Sequence, residues 1–229
     1  MKYVGSKERH CKEILPIIMA GRKGLYVEPF IGGASVISKV TGPRLGADLN
    51  PHVIELWSAI RDGWIPPVNI SEAEYRKARD CQVVDALTAF IGFGCSFAGK
   101  WFGGYARGND ANGNPRNYAA ESSRAAVKKR AGLVGADLVH CSYDELSIPD
   151  GSTVYCDPPY AGTQGYATGG FDHGKFWNWC DDLIKRGCKV FVSEYSAPDG
   201  WRCIWEKQVN NTLDKDTGAK KGVERLFTK

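Results

Sequence analysis

The spacing of hydrophobic positions changes period several times along the chain, and each change predicts an element. Ile14, Leu15, Ile17 and Ile18 form a helical stripe within residues 7–20, interrupted by Pro16. Leu25-Tyr26-Val27 is a short apolar run closed by Glu28-Pro29, the pattern of a buried strand. Gly32-Gly33 opens a stretch, Ala34 to Val40, that reads as a helix. Arg44 to Ala47 predicts a second strand ending at Asp48. Asn50-Pro51 supplies an N-cap and a proline at the first helical position, followed by the apolar stripe Val53, Ile54, Leu56, Trp57 and Ile60. Strand, helix, strand, helix in that order predicts a parallel sheet.

The rhythm breaks at Trp64-Ile65-Pro66-Pro67. Helical stretches over 72–80, 83–91 and 119–131 surround the run GFGCSFAGKWFGGYARGNDANGNP, which is too rich in glycine to be one regular element. Long loops of this kind in compact proteins are usually functional or mobile. Strands return at Leu138–Cys141, Thr153–Cys156, Lys189–Ser193, Arg202–Lys207 and Val223–Phe227, with a helix over 175–186. The expected architecture is an α/β sheet, built by residues 1–62 and 136–229, interrupted by a small, largely helical insert over 63–135.

Composition changes this picture little. At 229 residues, 43% hydrophobic and 24% charged, the chain is an ordinary globular sequence, which excludes wholesale disorder and collagen-like structure. A net charge of +4 is too small to diagnose a nucleic-acid partner, because the local patch is what matters. The 7 Trp, 10 Tyr and 9 Phe serve either a core or base stacking. No segment approaches the roughly 18 apolar residues that span a bilayer. The charged start MKYVGSKERHCK lacks the apolar run of a signal peptide, so a cytoplasmic location without membrane association is expected. The 8 cysteines include no C-x-x-C pair and the four histidines show no ligand spacing. Buried reduced thiols and no metal are expected.

The chemistry concentrates at strand ends. Thr153-Val154-Tyr155-Cys156 delivers Asp157-Pro158-Pro159-Tyr160 at its carboxyl end, where ligands bind in open α/β sheets. Two prolines stiffen the backbone and remove two donors, so the Asp157 and Pro158 carbonyls point in a fixed direction. A rigid acid and carbonyl accept hydrogen bonds from an exocyclic amine, and Tyr160 offers a flat face to a ring. Far away in sequence, Val27-Glu28-Pro29-Phe30-Ile31-Gly32-Gly33 reads strand, acid, glycine turn. The glycines permit close backbone approach, as in nucleotide-binding first turns, while the acid repels phosphate. Asp48 stands like the acid that takes ribose hydroxyls. A ribose, a positive centre and no phosphate describe S-adenosylmethionine.

In this combination and order the motifs resemble those of the Dam-type, class alpha DNA N6-adenine methyltransferases, over about 1–62 and 136–229. Lys2-Tyr3-Val4-Gly5-Ser6-Lys7 is similar to the family's opening motif. Glu28 to Gly33 is similar to its E-P-F-x-G-x-G-type cofactor turn, here with Gly-Gly-Ala, and Asp48-Leu49-Asn50 to its D-(I/L)-N. Cys141-Ser142-Tyr143 resembles the segment framing the cofactor adenine, and Gly218 to Phe227 a late hairpin. The resemblance implies a Rossmann-like methyltransferase sheet. It implies S-adenosylmethionine held by Tyr3, Lys7, Glu28, Pro29, Phe30, Gly32, Gly33, Asp48, Tyr143 and Asp157. It implies transfer of a methyl group to adenine N6 in double-stranded DNA, at a specific sequence, with the base flipped against Asp157, Pro158, Pro159 and Tyr160. A prokaryotic cell or a phage-infected host would be its setting.

Two departures limit the likeness. The insert reads Phe93-Gly-Cys-Ser-Phe-Ala-Gly-Lys100-Trp-Phe-Gly-Gly-Tyr105-Ala-Arg107 in place of a pattern running into F-N-V-P-F-G, so no target sequence carries over. Ser193-Glu194 stands where an S-N pair is common. Within the insert, Lys100, Trp101, Phe102, Tyr105, Arg107 and Arg116 interleave basic and aromatic groups as a DNA-contacting loop does, and equally as a loop packed on its own core. Arg124, Lys128, Lys129 and Arg130 read as a solvated helix face, with phosphate contacts from Arg124 and Lys128 as the alternative. Rival functions are N4-cytosine methylation, methylation of RNA or a protein glutamine, and a catalytically silent DNA-binding module of the same fold.

Overall fold

A computed structural model describes residues 1–160, 170–210 and 221–229. The chain packs as two compact units, one of residues 1–11 and 31–141, the other of residues 12–30 and 142–229. The described strands are β1 (Tyr26–Glu28), β2 (Arg44–Asp48), β3 (Ala136–His140), β4 (Thr153–Cys156), β5 (Lys189–Glu194), β6 (Arg202–Asn210) and β7 (Lys221–Thr228). The α-helices are α1 (Cys11–Met19), α2 (Pro51–Arg61), α3 (Glu72–Cys81), α4 (Ala86–Ala89), α5 (Tyr118–Val127), α6 (Arg130–Leu133) and α7 (His173–Lys185).

In the second unit the strand order is β1-β4-β5-β7-β6. β1, β4 and β5 run parallel, with Val27 opposite Val154 and Cys156 opposite Val192. β7 and β6 then close the edge as antiparallel partners. All four residues of β4 are buried, the continuous apolar pattern of a central parallel strand. α7 is capped by Asp172, whose side chain accepts the Lys175 N–H, and it buries Phe176, Cys180 and Leu183 at helical spacing.

In the first unit β2 and β3 pair in parallel register from Arg44 opposite Ala136 to Asp48 opposite His140. α2 begins as its sequence predicts, with the Asn50 side chain accepting the His52 N–H and Pro51 at the first position. α4 continues into a π-helical turn over Phe90–Gly94, every residue of which is buried. Glycine is required at its centre: a Cβ on Gly92 would lie 2.4 Å from Cζ3 of Trp101. Residues 63–135 lie wholly within this unit. Basic side chains tie its ends down. Arg44 donates to the Gly132 and Val134 carbonyls, and Arg130 to those of Ile60, Gly63 and Trp64.

Several expectations need correction. The helix expected over Ala34 to Val40 is a single 3₁₀ turn, Ile37–Lys39. Gly32 and Ala34 both take positive φ, 39° and 49°, so the chain coils through a left-handed conformation before any helix can start. The stretch 119–131 is two helices, separated at Lys128-Lys129. The glycine-rich centre is a folded loop, pinned by isolated bridges between Ser96 and Tyr105 and between Asn109 and Pro115. Cys81 and Cys203 are exposed, although no disulfide joins the cysteines. Among the described residues no helix is long and apolar enough to cross a membrane, and no cluster of three His, Cys, Asp or Glu forms a metal site.

Candidate active site

In the first unit a glycine turn is stitched to the end of β2. The Gly32 N–H donates to Asp48 Oδ2 and the Asn50 N–H to Asp48 Oδ1, each at 2.9 Å. The Ile31 N–H reaches the Ala47 carbonyl at 3.0 Å, and Trp57 Nε1 donates to the Gly32 carbonyl at 2.8 Å. Burial pushes the Asp48 carboxyl from 3.8 up to about 6, against the pull of those two N–H groups and of His140. The missing side chains at the turn admit an aromatic ring. A Cβ on Gly32 would stand 2.8 Å from Tyr3 Cε1, and one on Gly33 3.0 Å from Tyr3 Cβ. Tyr3 therefore lies directly on the turn, braced by Phe93 with ring centroids 5.0 Å apart. Lys7 is buried in the same segment, its ammonium donating to the Gly5 carbonyl at 3.3 Å.

In the second unit Glu28 is buried at the end of β1, accepting the Tyr26 hydroxyl at 2.9 Å. Pro29 is buried, and Phe30 beyond it meets the rings of Tyr143, Phe176 and Phe171 at 5.5, 5.8 and 6.0 Å. Trp179 extends this aromatic wall, 5.1 Å from Tyr143. Burial also raises the Tyr143 hydroxyl.

The Asp157-Pro158-Pro159-Tyr160 turn leaves the carboxyl end of β4, with Pro158 buried and Asp157 half-buried. The Tyr160 hydroxyl donates to Glu224 Oε2 at 2.8 Å, and its ring stands edge-on to Tyr195 at 4.7 Å. Burial, with Asp157 and Glu224 nearby, lifts the Tyr160 phenol well above its ordinary value, so it is a neutral donor. Arg225 Nη1 holds the Tyr195 carbonyl at 2.6 Å. Glu194 is buried; its Oε1 accepts the Tyr195 N–H at 2.7 Å and its Oε2 lies 3.8 Å from His173 Nδ1.

Phe171 and Tyr195 carry no signal in the sequence; Glu194 stands out there only as a departure from an S-N pair, and Glu224 only by its place in the late hairpin, of which Gly218 to Lys220 lie outside the described residues.

The insert residues divide. Lys100, Arg124 and Lys128 are exposed, with no ion pair among the described residues. Arg107 pairs with Glu72, and Arg116 with Glu121. Trp101 packs against His52, Phe93 and Phe102 at 4.4, 4.7 and 4.7 Å. The Tyr105 hydroxyl donates to the Ile70 carbonyl at 2.6 Å. Tyr105 thus packs within the insert, and Trp101 packs against both the insert and His52 of α2. Lys129 and Arg130, expected on a solvated face, turn inward onto backbone carbonyls.

Parallel strands with intervening helices, an antiparallel closing pair and acid-bearing turns at strand ends make a Rossmann-like α/β fold. Residues 3–82 match the model of the D12 class N6 adenine-specific DNA methyltransferases. The chain is 29% identical over 253 residues to the Retron Ec67 DNA adenine methylase of Escherichia coli, covering 100% of this chain and 81% of that protein. It is 25% identical over 258 residues to the DNA adenine methylases of two Vibrio cholerae strains, covering 98% of this chain and 91% of theirs. A crystal structure from Haemophilus influenzae, described as that of a putative methylase, aligns over 96% of this chain and 88% of that one, at 12% identity and a TM-score of 0.37. The chain is thus similar to the D12 class N6 adenine-specific DNA methyltransferases over residues 3–82, and to DNA adenine methylases over nearly its whole length.

Proposed function

We propose that the protein transfers the methyl group of S-adenosylmethionine to the N6 amine of adenine in double-stranded DNA, at a specific sequence, on a nucleotide flipped out of the duplex. The observation that carries this reading is the Asp157-Pro158-Pro159-Tyr160 turn, whose aromatic ring is fixed by a hydrogen bond to Glu224 and an edge contact with Tyr195. Residues 63–135 act as the target-recognition insert, and 1–62 with 136–229 as the catalytic part. The setting is the cytoplasm.

The residues present fit the cofactor. S-adenosylmethionine joins a ribose and an adenine to a sulfonium cation and an amino-acid tail, without phosphate. Asp48, ionised above about pH 6, accepts from hydroxyl groups, and Glu28 adds a buried carboxylate. Phe30 and Tyr143 supply flat apolar surface, Lys7 a cation for the tail carboxylate, and Tyr3 closes over Gly32-Gly33. When bound, the cofactor supplies a methyl group activated by its positive sulfur.

The chain's own groups handle the amine. In a duplex N6 is paired and stacked, so the nucleotide has to leave the helix, at a cost of a few kcal/mol. Tyr160 stacks on the extruded base. Asp157 and the Pro158 carbonyl accept from N6–H, freeing the nitrogen lone pair for the methyl carbon. No strong base is needed, because the proton leaves a nitrogen already made cationic by transfer. Alignment and exclusion of water contribute most of the acceleration. Lys100, Arg107, Arg116, Arg124 and Lys128 contact phosphates from the insert, Trp101 and Tyr105 supporting them.

The test uses tritiated cofactor with unmethylated DNA, RNA and protein in parallel. Label is expected in DNA alone, and Asp157→Ala abolishes it while cofactor affinity stays within a few-fold. Label in RNA or protein, or a bound cofactor with label nowhere, overturns the reading.

A further inference from the structure

Lys129, at the break between α5 and α6, connects three segments. Its ammonium donates to the Gly33 carbonyl at 2.5 Å and to Ser35 Oγ at 3.2 Å, and it pairs with Glu8 Oε2 at 3.2 Å. Glu8 Oε1 pairs in turn with Lys39 at 2.6 Å, and Lys39 donates to the Ser35 carbonyl at 2.8 Å. Ser6 Oγ lies 2.8 Å from Ser35 Oγ. One ammonium thus joins the end of the insert's basic helix, the glycine turn and the amino-terminal segment that carries Tyr3 and Lys7.

The Lys129 side chain is only 11% exposed, and burial pulls its ammonium below the ordinary lysine value against the opposing pull of Glu8. A buried cation persists only where its hydrogen bonds offset the loss of water, so its position is tightly specified. The backbone is as close. A Cβ on Gly132, one turn further on, would lie 1.8 Å from the Ser38 carbonyl oxygen. The same helix system presents Arg124 and Lys128 to solvent. A shift of α5 therefore cannot leave the turn where it was.

We propose that Lys129 is a positioning residue that sets the Gly32–Ser35 turn and couples DNA contact at the insert to cofactor affinity. The inference rests on the reading above, in which that turn holds S-adenosylmethionine and the insert meets DNA. Coupling is reciprocal: DNA tightens cofactor binding by the same factor as cofactor tightens DNA binding.

The test measures the dissociation constant of S-adenosylhomocysteine, an unreactive probe, on the full chain with and without saturating unmethylated duplex DNA. For the parent protein, DNA is expected to tighten the probe about fivefold or more. Lys129→Met should weaken binding without DNA about tenfold, through loss of a charge-assisted bond, and bring the DNA effect close to one. Lys129→Gln keeps a donor for the Gly33 carbonyl, and an intermediate effect is expected from it even if the Met variant folds poorly. Lys39→Met cuts the same network away from the insert, so it should weaken the probe yet keep the DNA effect. An unchanged DNA effect in both Lys129 variants, or its equal loss in Lys39→Met, overturns the proposal. Methyl transfer to DNA by the parent protein is assayed alongside. Its absence counts against the proposed function, whereas an active parent with indifferent Lys129 variants counts against this inference alone.

Discussion

Asp48 is the carboxylate whose titration should be visible in cofactor binding. Burial lifts it from 3.8 to about 6. With that value roughly a tenth of the protein carries an ionised Asp48 at pH 5 and nearly all of it at pH 8. If the ionised form accepts the ribose hydroxyls, the KM for S-adenosylmethionine should rise about tenfold between pH 8 and pH 5. An ordinary aspartate would remain more than nine-tenths ionised at pH 5, on the order of 3.9 being its reference value, and would give a flat profile. Stability moves the opposite way. The native state holds the proton more tightly than the unfolded chain, so this group's contribution falls as pH climbs from about 4 to about 6, by at most roughly 3 kcal/mol. Asp48→Asn should remove both dependences and weaken the cofactor about 10- to 100-fold, since its amide also sets a donor against the Gly32 or Asn50 N–H. Initial rates with saturating DNA at several pH values read the first effect, and thermal melts the second. A KM that stays flat from pH 8 to pH 5, or one that keeps its slope in Asp48→Asn, refutes the reasoning.

Tyr160→Phe keeps the ring but loses the hydroxyl bond to Glu224 at 2.8 Å, so kcat/KM for DNA should fall about tenfold with cofactor KM unchanged; equal loss in both parameters contradicts this. Gly132→Ala sets a methyl group 1.8 Å from the Ser38 carbonyl, and despite the better helix propensity of alanine a net loss of about 2 kcal/mol, or roughly 4–8 °C in Tm, is expected by calorimetry. An unchanged Tm would show that α6 relaxes freely. Arg124→Ala and Lys128→Ala should each lower the salt dependence of DNA affinity by about one in the log–log slope, measured by fluorescence anisotropy; an unaltered slope removes that residue from the interface.

The strands were legible because apolar runs ending in an acid or a proline leave little choice. Thr153–Cys156 has the expected bounds, and the other strands differ by a few residues. Ala34 to Val40 misled because a left-handed Ala34 is invisible to periodicity: the turn is set by contacts with Tyr3 and Asp48, distant in sequence. For the loop around Trp101 the sequence leaves a DNA-contacting loop and a loop packed on its own core equally open, and Gly92, which receives the Trp101 ring, shows packing at that position. The hydrogen bond from Tyr160 to Glu224 spans 64 residues, and no local pattern announces it. Lys128 and Lys129 are neighbours in sequence with opposite fates, one in solvent and one buried on Gly33.

The central claim, transfer of a methyl group to adenine N6 by the Asp157 turn, is tested most directly by mass spectrometry of nucleosides from unmethylated DNA incubated with protein and deuteriomethyl cofactor. The account predicts labelled N6-methyladenine with the parent protein and none with Asp157→Ala. Labelled N4-methylcytosine in its place, or N6-methyladenine undiminished in Asp157→Ala, would contradict it.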